Sequence, residues 1–270
     1  MKLVSAKNGV KYVKSDILPC VHAFSTRIGG VSREAHTESL NLAFSRGDDR
    51  ETVLRNLELF GEAVGFQARD VISVPQIHSN RVFIVDENDR GEGYFCPTEL
   101  EGDGYVTDKK GIVLGVKTAD CVPVLMAALD ENGKAFAVGA FHAGWRGSVA
   151  KILEVGVNEL IKLGAETKNI RVAIGPSICE GCYEVGEDFY ETVCAELGKR
   201  TADGFICRHE SDGRLHADVK RLNKSILLSL GVIEENIDIC ELCTSCEPNL
   251  FYSHRGMKGK RGTMLSVISL

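Results

Sequence analysis

Residues 111–142 constrain the fold of this chain more than any other stretch. Two strongly apolar runs, GIVLGVKTADCVPVLMAAL (111–129) and KAFAVGAFH (134–142), flank the turn-rich segment LDENGKA (129–135). Apolar runs bounded by turn residues read as buried strands, and so short a connection makes them a hairpin. Two registers fit. If Asp130–Gly133 form the loop, Leu129 faces Lys134 and Cys121 lies directly across from His142. If Asn132-Gly133 alone makes the turn, the register moves by two and Cys121 and His142 become diagonal neighbours. Directly opposed side chains stand about 4.5–5.5 Å apart at Cβ, close enough to share a metal ion. Pro123 interrupts the ladder, because proline is confined to edges and bulges, and predicts a bulge just after Cys121 that turns its thiol towards a pocket.

Elsewhere short helices and strands are mixed. Helical periodicity covers 51–65, 148–164, 186–199 and 218–231, with Asp48-Asp49 before the first and Asp218 at the N-cap of the last. Further strands are predicted at 70–74, 81–86, 104–107, 169–175, 238–242 and 262–270. The strict alternation of a doubly wound parallel sheet is missing. The pattern predicts an α+β fold with mixed, mostly antiparallel sheets and helices packed outside. With 270 residues and 44% hydrophobic content, the chain can bury its core without disulfides or metal.

A net charge of −6 without a long basic block argues against nucleic acid as the main partner, while leaving small anions open. The N-terminal MKLVSAKNGVKYVKSD has no signal-peptide core, and no apolar run reaches membrane-spanning length. A cytoplasmic protein with no membrane partner is expected. Ten cysteines in a reducing compartment then read mostly as buried thiols.

His78 lies in SVPQIHSNRVF, a polar loop between two strands. Together with Cys121 and His142 it would make a His₂Cys set, which leaves a fourth position open, as catalytic rather than structural zinc requires. From spacing alone, each histidine reads more readily as an ordinary hydrogen-bonded side chain, and the hairpin does not bring in His78. Gly144 and Gly147 flank Trp145-Arg146 just before a helix, so backbone N–H groups and the helix dipole would meet Arg146 at an anion site. Arg27, before two glycines in STRIGGVS, is a second candidate; a surface arginine near a turn is an equal reading of both. SHRGMKGKRG (253–262) adds Arg255, Lys260 and Arg261 in what reads as a basic loop. Cys179/Cys182 and Cys243/Cys246 form two Cys-x-x-Cys pairs. Their separation far exceeds the roughly 15–20 residues of a zinc ribbon, so buried thiols are the favoured reading and a second metal or redox pair the lesser one.

The ordered motifs STRIGGVS…SLNL, PQIHSN, GDGYVT, TADCVPVL, FHAGWRG, AIGPSI…CYEVG and CTSCEPNLFYSHR…KRG resemble the YfiH-like family. That family is also called the laccase-domain or polyphenol oxidase family, and now a purine nucleoside phosphorylase family. The resemblance runs from about Phe24 to the C-terminus. It implies a single YfiH-type domain over residues 1–270, with layered sheets and outer helices. It implies a metal set at His78, Cys121 and His142, usually assigned to zinc, with copper the lesser choice. The implied activity is phosphorolysis of adenosine, inosine and S-methyl-5′-thioadenosine to free base and sugar 1-phosphate, with adenosine deamination as a second activity. Arg27 and Arg146 would belong in the same cleft, holding phosphate. There are two departures: Cys179 and Cys182 are spaced where the family often has adjacent cysteines, and GDGYVT replaces a commoner alanine-rich version.

Within that reading, Asn41 and Gln76 suit recognition of ribose or purine edges, and Trp145 either offers a stacking face or packs in the core. The H-x-E signature of zinc deaminases is absent, so Asp120 beside Cys121 stands in as a guess for the general acid. A His₂Cys set also suits blue copper. A multicopper oxidase needs H-x-H pairs as well; the chain has none, and only His22, His36, His209, His216 and His254 remain. Peptidoglycan-precursor editing on muropeptide amides, or a binding role alone, is the remaining alternative.

Overall fold

The long apolar runs become inner strands of two stacked six-stranded sheets. The computed structural model describes residues 1–210 and 213–270. In chain order, β1 (Lys2–Ser5), β2 (Lys11–Lys14) and β3 (Val21–Ser25) precede helix α1 (Arg50–Val64). Next come β4 (Val71–Ile72), β5 (Val82–Ile84), β6 (Gly104–Thr107), β7 (Val113–Thr118), β8 (Val122–Leu129) and β9 (Ala135–Ala143). Helices α2 (Trp145–Val149) and α3 (Ile152–Lys162) lead to β10 (Ile170–Ile174), β11 (Glu184–Val185), α4 (Glu187–Leu197) and α5 (Lys199–Ala202). The chain closes with β12 (Ile206–Arg208), β13 (Leu215–Ala217), α6 (Val219–Ser229), β14 (Ile237–Ile239) and β15 (Met264–Ser269). One sheet has the order β1-β2-β3-β15-β7-β4, the other β14-β10-β8-β9-β6-β5, and β11-β13-β12 form a small third sheet. Antiparallel and parallel pairs are mixed, which makes the fold α+β, as the pattern predicts.

Period-two alternation explains why the inner strands look apolar throughout. In β8, Leu125 and Ala127 join Leu114 and Val116 of β7 in the core between the sheets. Val124, Met126 and Ala128 pack instead with Leu153, Val157 and Leu160 of α3. Both faces are covered, so polar residues have no place in the run. Helix α1 covers the outer face of the first sheet through Val53, Leu57 and Phe60. Each such fully buried side chain contributes roughly 1.5–3 kcal/mol. No helix among the described residues is long and apolar enough to cross a membrane.

The structure corrects the sequence reading in four places. The run 111–129 is two strands in different sheets, joined by a corner at Ala119–Cys121 where Asp120 takes φ +94°. The predicted helix 148–164 starts at Trp145 and breaks at Lys151, which has φ +63°. Strands β1 and β2 escaped notice because lysines interrupt their apolar signal, and β3 because His22 breaks its short run. In the hairpin, Pro123 opposes His142 and the register shifts between Ala128 and Leu129, beside the turn rather than after Cys121. Cys121 is therefore the diagonal neighbour of His142. Pro123 is tolerated because it lies at the start of its strand, just past the last β10 pair, Ile174 with Val124. Asp49 and Asp218 do cap their helices, accepting N–H bonds from Thr52 and Arg221.

Candidate active site

Three separate elements deliver the His₂Cys set. His78 comes from the loop between β4 and β5, Cys121 from the corner between β7 and β8, and His142 from the end of β9. Their ligating atoms all lie within 4.8 Å of one another, and Cys121 Sγ stands 4.0 Å from His78 Nε2. The two imidazoles meet edge to face with centroids 4.8 Å apart. A tetrahedral zinc ion with Zn–S of about 2.3 Å and Zn–N of about 2.0–2.1 Å sets sulfur and nitrogen about 3.6 Å apart. The Cys121–His78 separation fits such an ion after a contraction of a few tenths of an ångström, and three donors leave one position open.

Asp103, in the turn before β6, organises both histidines. Its Oδ1 lies 2.8 Å from His142 Nδ1 and accepts the backbone N–H of His78 at 3.0 Å. Its Oδ2 accepts the backbone N–H groups of Ile77 and Ser79 and the Ser79 hydroxyl. Burial pushes this carboxyl upward, but the hydrogen bonds from His142 and Ser79 outweigh it and hold the group down at about 2. With Nδ1 engaged by the carboxylate, His142 is left with Nε2 for a metal, the carboxylate–histidine–metal arrangement of zinc sites. The loop that Asp103 gathers holds His78 at φ +59°, a region uncommon for residues other than glycine. Without an ion, burial opposes charge on Cys121, but the neighbouring His142 cation and the bonds to His142 and His78 bring the thiol down to about 6. The same pairing raises His142, against its own burial.

The glycines of FHAGWRG have steric roles rather than anion-binding ones. A Cβ on Gly144 would sit 3.1 Å from Cys121 Sγ, and one on Gly147 would sit 2.8 Å from the Ser79 carbonyl oxygen. Bare backbone at these points lets Cys121 and the His78 loop close up against the end of β9. Helix α2 has five residues. Arg146 is exposed and lies over the Trp145 ring at 4.3 Å, while that ring packs on Phe189 with centroids 4.7 Å apart. Trp145 thus takes the packing role.

His78, Cys121 and His142 open onto a cavity of about 800 Å³. Its cationic lining is Arg46, Arg50, Lys117 and Arg261, and Phe44, Tyr94 and Phe95 supply an aromatic wall. Neither Arg27 nor Arg146 lines it. Arg27 instead donates to the carbonyls of Glu38 and Pro248 and lies over the Tyr252 ring. Among the described residues, the Nε atoms of Arg46 and Arg261 and the Ser73 hydroxyl are buried without a hydrogen-bond partner. Burial brings the Arg261 guanidinium down to about 10, and the like charge of Arg46 adds to the effect. Arg261 donates through Nη1 to the Gly262 carbonyl and the Thr263 hydroxyl, but no carboxylate among the described residues forms an ion pair with either guanidinium, so the two like charges leave this part of the cavity positive.

The other predicted residues sort by their hydrogen bonds. Gln76 lines the cavity, but its amide ties the β4–β5 loop to β7, bonding both the N–H and the carbonyl of Lys117. Asn41 is fully buried; its amide donates to the Ala43 carbonyl and the Asp48 carboxylate and accepts from the N–H groups of Ala43 and Thr263. It has no free group for a ribose. Asp120 is also buried away from the cavity, with one carboxylate oxygen on the Thr244 hydroxyl and the other on the Arg255 N–H. That carboxylate braces the corner beside Cys121 and is not placed for proton transfer. Asp103, Arg46 and Lys117 escaped the sequence reading, although Asp103 stands between the glycines of GDGYVT.

Comparison with known proteins places the chain in one family and one fold. The family described as multi-copper polyphenol oxidoreductase laccase matches residues 21–270. The chain is similar to adenosine deaminase RL5 from an unknown prokaryotic organism, at 35% identity covering 87% of this chain and 88% of that one. It is similar to a purine nucleoside phosphorylase of Deinococcus radiodurans, at 35% identity covering 97% and 94%. The crystal structure of YfiH from Bacillus licheniformis superposes with a TM-score of 0.88 at 30% identity, covering 99% and 98%.

Proposed function

The chain belongs to the multi-copper polyphenol oxidoreductase laccase family, and we propose that it is a purine nucleoside phosphorylase that also deaminates adenosine. The observation that carries this reading is the pair Arg46 and Arg261, unneutralised cations in the cavity onto which His78, Cys121 and His142 open. A phosphorylase must hold phosphate beside a nucleoside, and a polyphenol oxidase has no use for such a pair. The relatives named as adenosine deaminase and purine nucleoside phosphorylase support adenosine and the purine nucleoside class as substrates; within that class we propose adenosine, inosine and S-methyl-5′-thioadenosine, with phosphate.

In phosphorolysis, a phosphate oxygen forms the new bond to C1′ of the ribose. The C1′–N9 bond breaks, and its electron pair leaves on the purine, which takes up a proton. Arg46 and Arg261 orient the phosphate through charge-assisted hydrogen bonds, and Lys117 adds positive charge to the same cavity. The wall of Phe44, Tyr94 and Phe95 offers the purine a flat apolar face. Asp103 keeps the proton of His142 on Nδ1 and fixes the spacing of the three ligands. A zinc ion on His78, Cys121 and His142 would supply Lewis acidity for charge developing on the purine and for water addition at C6. We favour zinc over copper because, among the described residues, His78 and His142 are the only histidines lining the cavity, too few for a multicopper cluster.

The test is to incubate the purified protein with adenosine, with and without inorganic phosphate, and separate the products. Adenine formed only with phosphate supports phosphorolysis. Hypoxanthine as the sole base product would leave deamination followed by phosphorolysis to be read from inosine, and no base released with phosphate present would refute the proposal.

A further inference from the structure

The two Cys-x-x-Cys pairs, too far apart in sequence for a zinc ribbon, meet in space. Strands β10 and β14 are parallel neighbours, and Ala173 pairs with Asp238, an offset of 65 residues. Cys179 and Cys243 are separated by almost the same interval, so both motifs emerge side by side from the same end of the sheet. A bridge between Ser177 and Cys243 and the bond from Thr244 N–H to the Ser177 carbonyl carry the pairing into the loops. Only Cys243 is buried, so the favoured sequence reading of buried thiols does not hold for the other three.

We propose that Cys179, Cys182, Cys243 and Cys246 hold a structural zinc ion as a tetrathiolate. The four sulfurs lie within 4.8 Å of one another, with Cys182 and Cys246 at 3.4 Å and Cys179 and Cys246 at 3.9 Å. Zinc with four thiolates at about 2.3 Å sets its sulfurs about 3.8 Å apart, in the middle of that range. Disulfides need about 2.05 Å, and all four cysteines are free. A cluster with bridging sulfides would hold the thiolates further apart than a single ion does. The Cys243 sulfur also accepts backbone N–H groups from Cys179 at 3.2 Å and Cys246 at 3.4 Å. Such bonds stabilise a thiolate and fix each motif around the position of the ion.

Four protein ligands close the coordination sphere, so the ion's role is structural. It clamps the loop after β10 to the loop after β14. Those loops brace the active-site corner: Ile178 N–H donates to the Asp120 carbonyl and Thr244 Oγ1 to the Asp120 carboxylate, one residue from Cys121.

Zinc content and the zinc absorption edge of Cys121→Ala test the proposal, because that variant lacks a ligand of the other set. One zinc per chain surrounded by four sulfurs at about 2.3 Å is expected. Loss of all zinc, a shell rich in nitrogen or oxygen, or iron in its place would overturn it. In the wild-type chain, alkylation followed by peptide mass spectrometry gives an independent readout. All four cysteines, including the exposed Cys246, should resist modification until a chelator is added. Equal labelling with and without chelator, or a disulfide within the set, would refute the site. Neither readout depends on nucleoside turnover.

Discussion

His142 Nδ1 lies 2.8 Å from Asp103 Oδ1, and that same oxygen accepts the backbone N–H of His78 at 3.0 Å. One buried carboxylate thus spaces two ligands that come from different elements. Replacing Asp103 by Asn removes its charge and one acceptor. Asp103→Asn should bind zinc about 10–100-fold more weakly, as competition with a chromophoric chelator would read. Unchanged affinity would show that the carboxylate does not tune the site.

The phosphate role falls on Arg46 and Arg261. A charge-assisted hydrogen bond contributes about 1.5–3 kcal/mol, so removing either guanidinium should raise KM for phosphate about 10–100-fold. KM for the nucleoside should change little. Arg27→Ala and Arg146→Ala are the controls, since neither residue lines the cavity. A phosphate effect confined to those two controls would move the anion site elsewhere.

Lys117 gives a pH-dependent signature. Burial brings its ammonium down from 10.5 to about 8. The folded chain therefore holds an unfavourably buried charge below pH 8, and releases its proton before the unfolded chain does. Relative to Lys117→Met, wild-type stability should rise as pH climbs from about 8 to 10.5, a window taken from those two values. Urea unfolding of both proteins across that window checks the sign; a constant difference would mean that Lys117 titrates normally.

Asn41 should matter to stability and not to specificity. Asn41→Ala strands the buried N–H of Thr263 and removes one of three donors to the half-buried Asp48 carboxylate, which keeps the Ser32 and Thr37 hydroxyls. A loss of about 2–4 kcal/mol is expected by denaturant titration, with the nucleoside KM of the surviving enzyme unchanged. A large KM shift at full stability would restore Asn41 to the binding site.

What was legible in the sequence follows from range. The hairpin signal is local, so Cys121 and His142 could be brought together from turn residues alone, up to a two-residue ambiguity that the bulge at Ala128/Leu129 resolves. His78 is a candidate from its polar loop, but the hairpin could not bring it in, because its approach depends on Asp103, which shows no periodic signal. The cations that line the cavity differ from the expected ones for a related reason. Glycine-flanked Arg146 looked like an anion site, whereas the glycines serve packing. Arg46 and Arg261 lie in turns far apart in the chain, and only the closure of the sheets brings their side chains into one cavity. Likewise the pairing of β10 with β14, invisible in composition, joins the two cysteine motifs.

The central claim is that phosphate is held between Arg46 and Arg261 beside the His₂Cys set. Its most direct test is a crystal of the zinc-loaded protein soaked in tungstate, an electron-dense stand-in for phosphate. One anion is expected in the cavity, within hydrogen-bonding reach of both guanidinium groups. An anion bound at Arg27 or Arg146 instead, with the cavity free of it, would contradict the account.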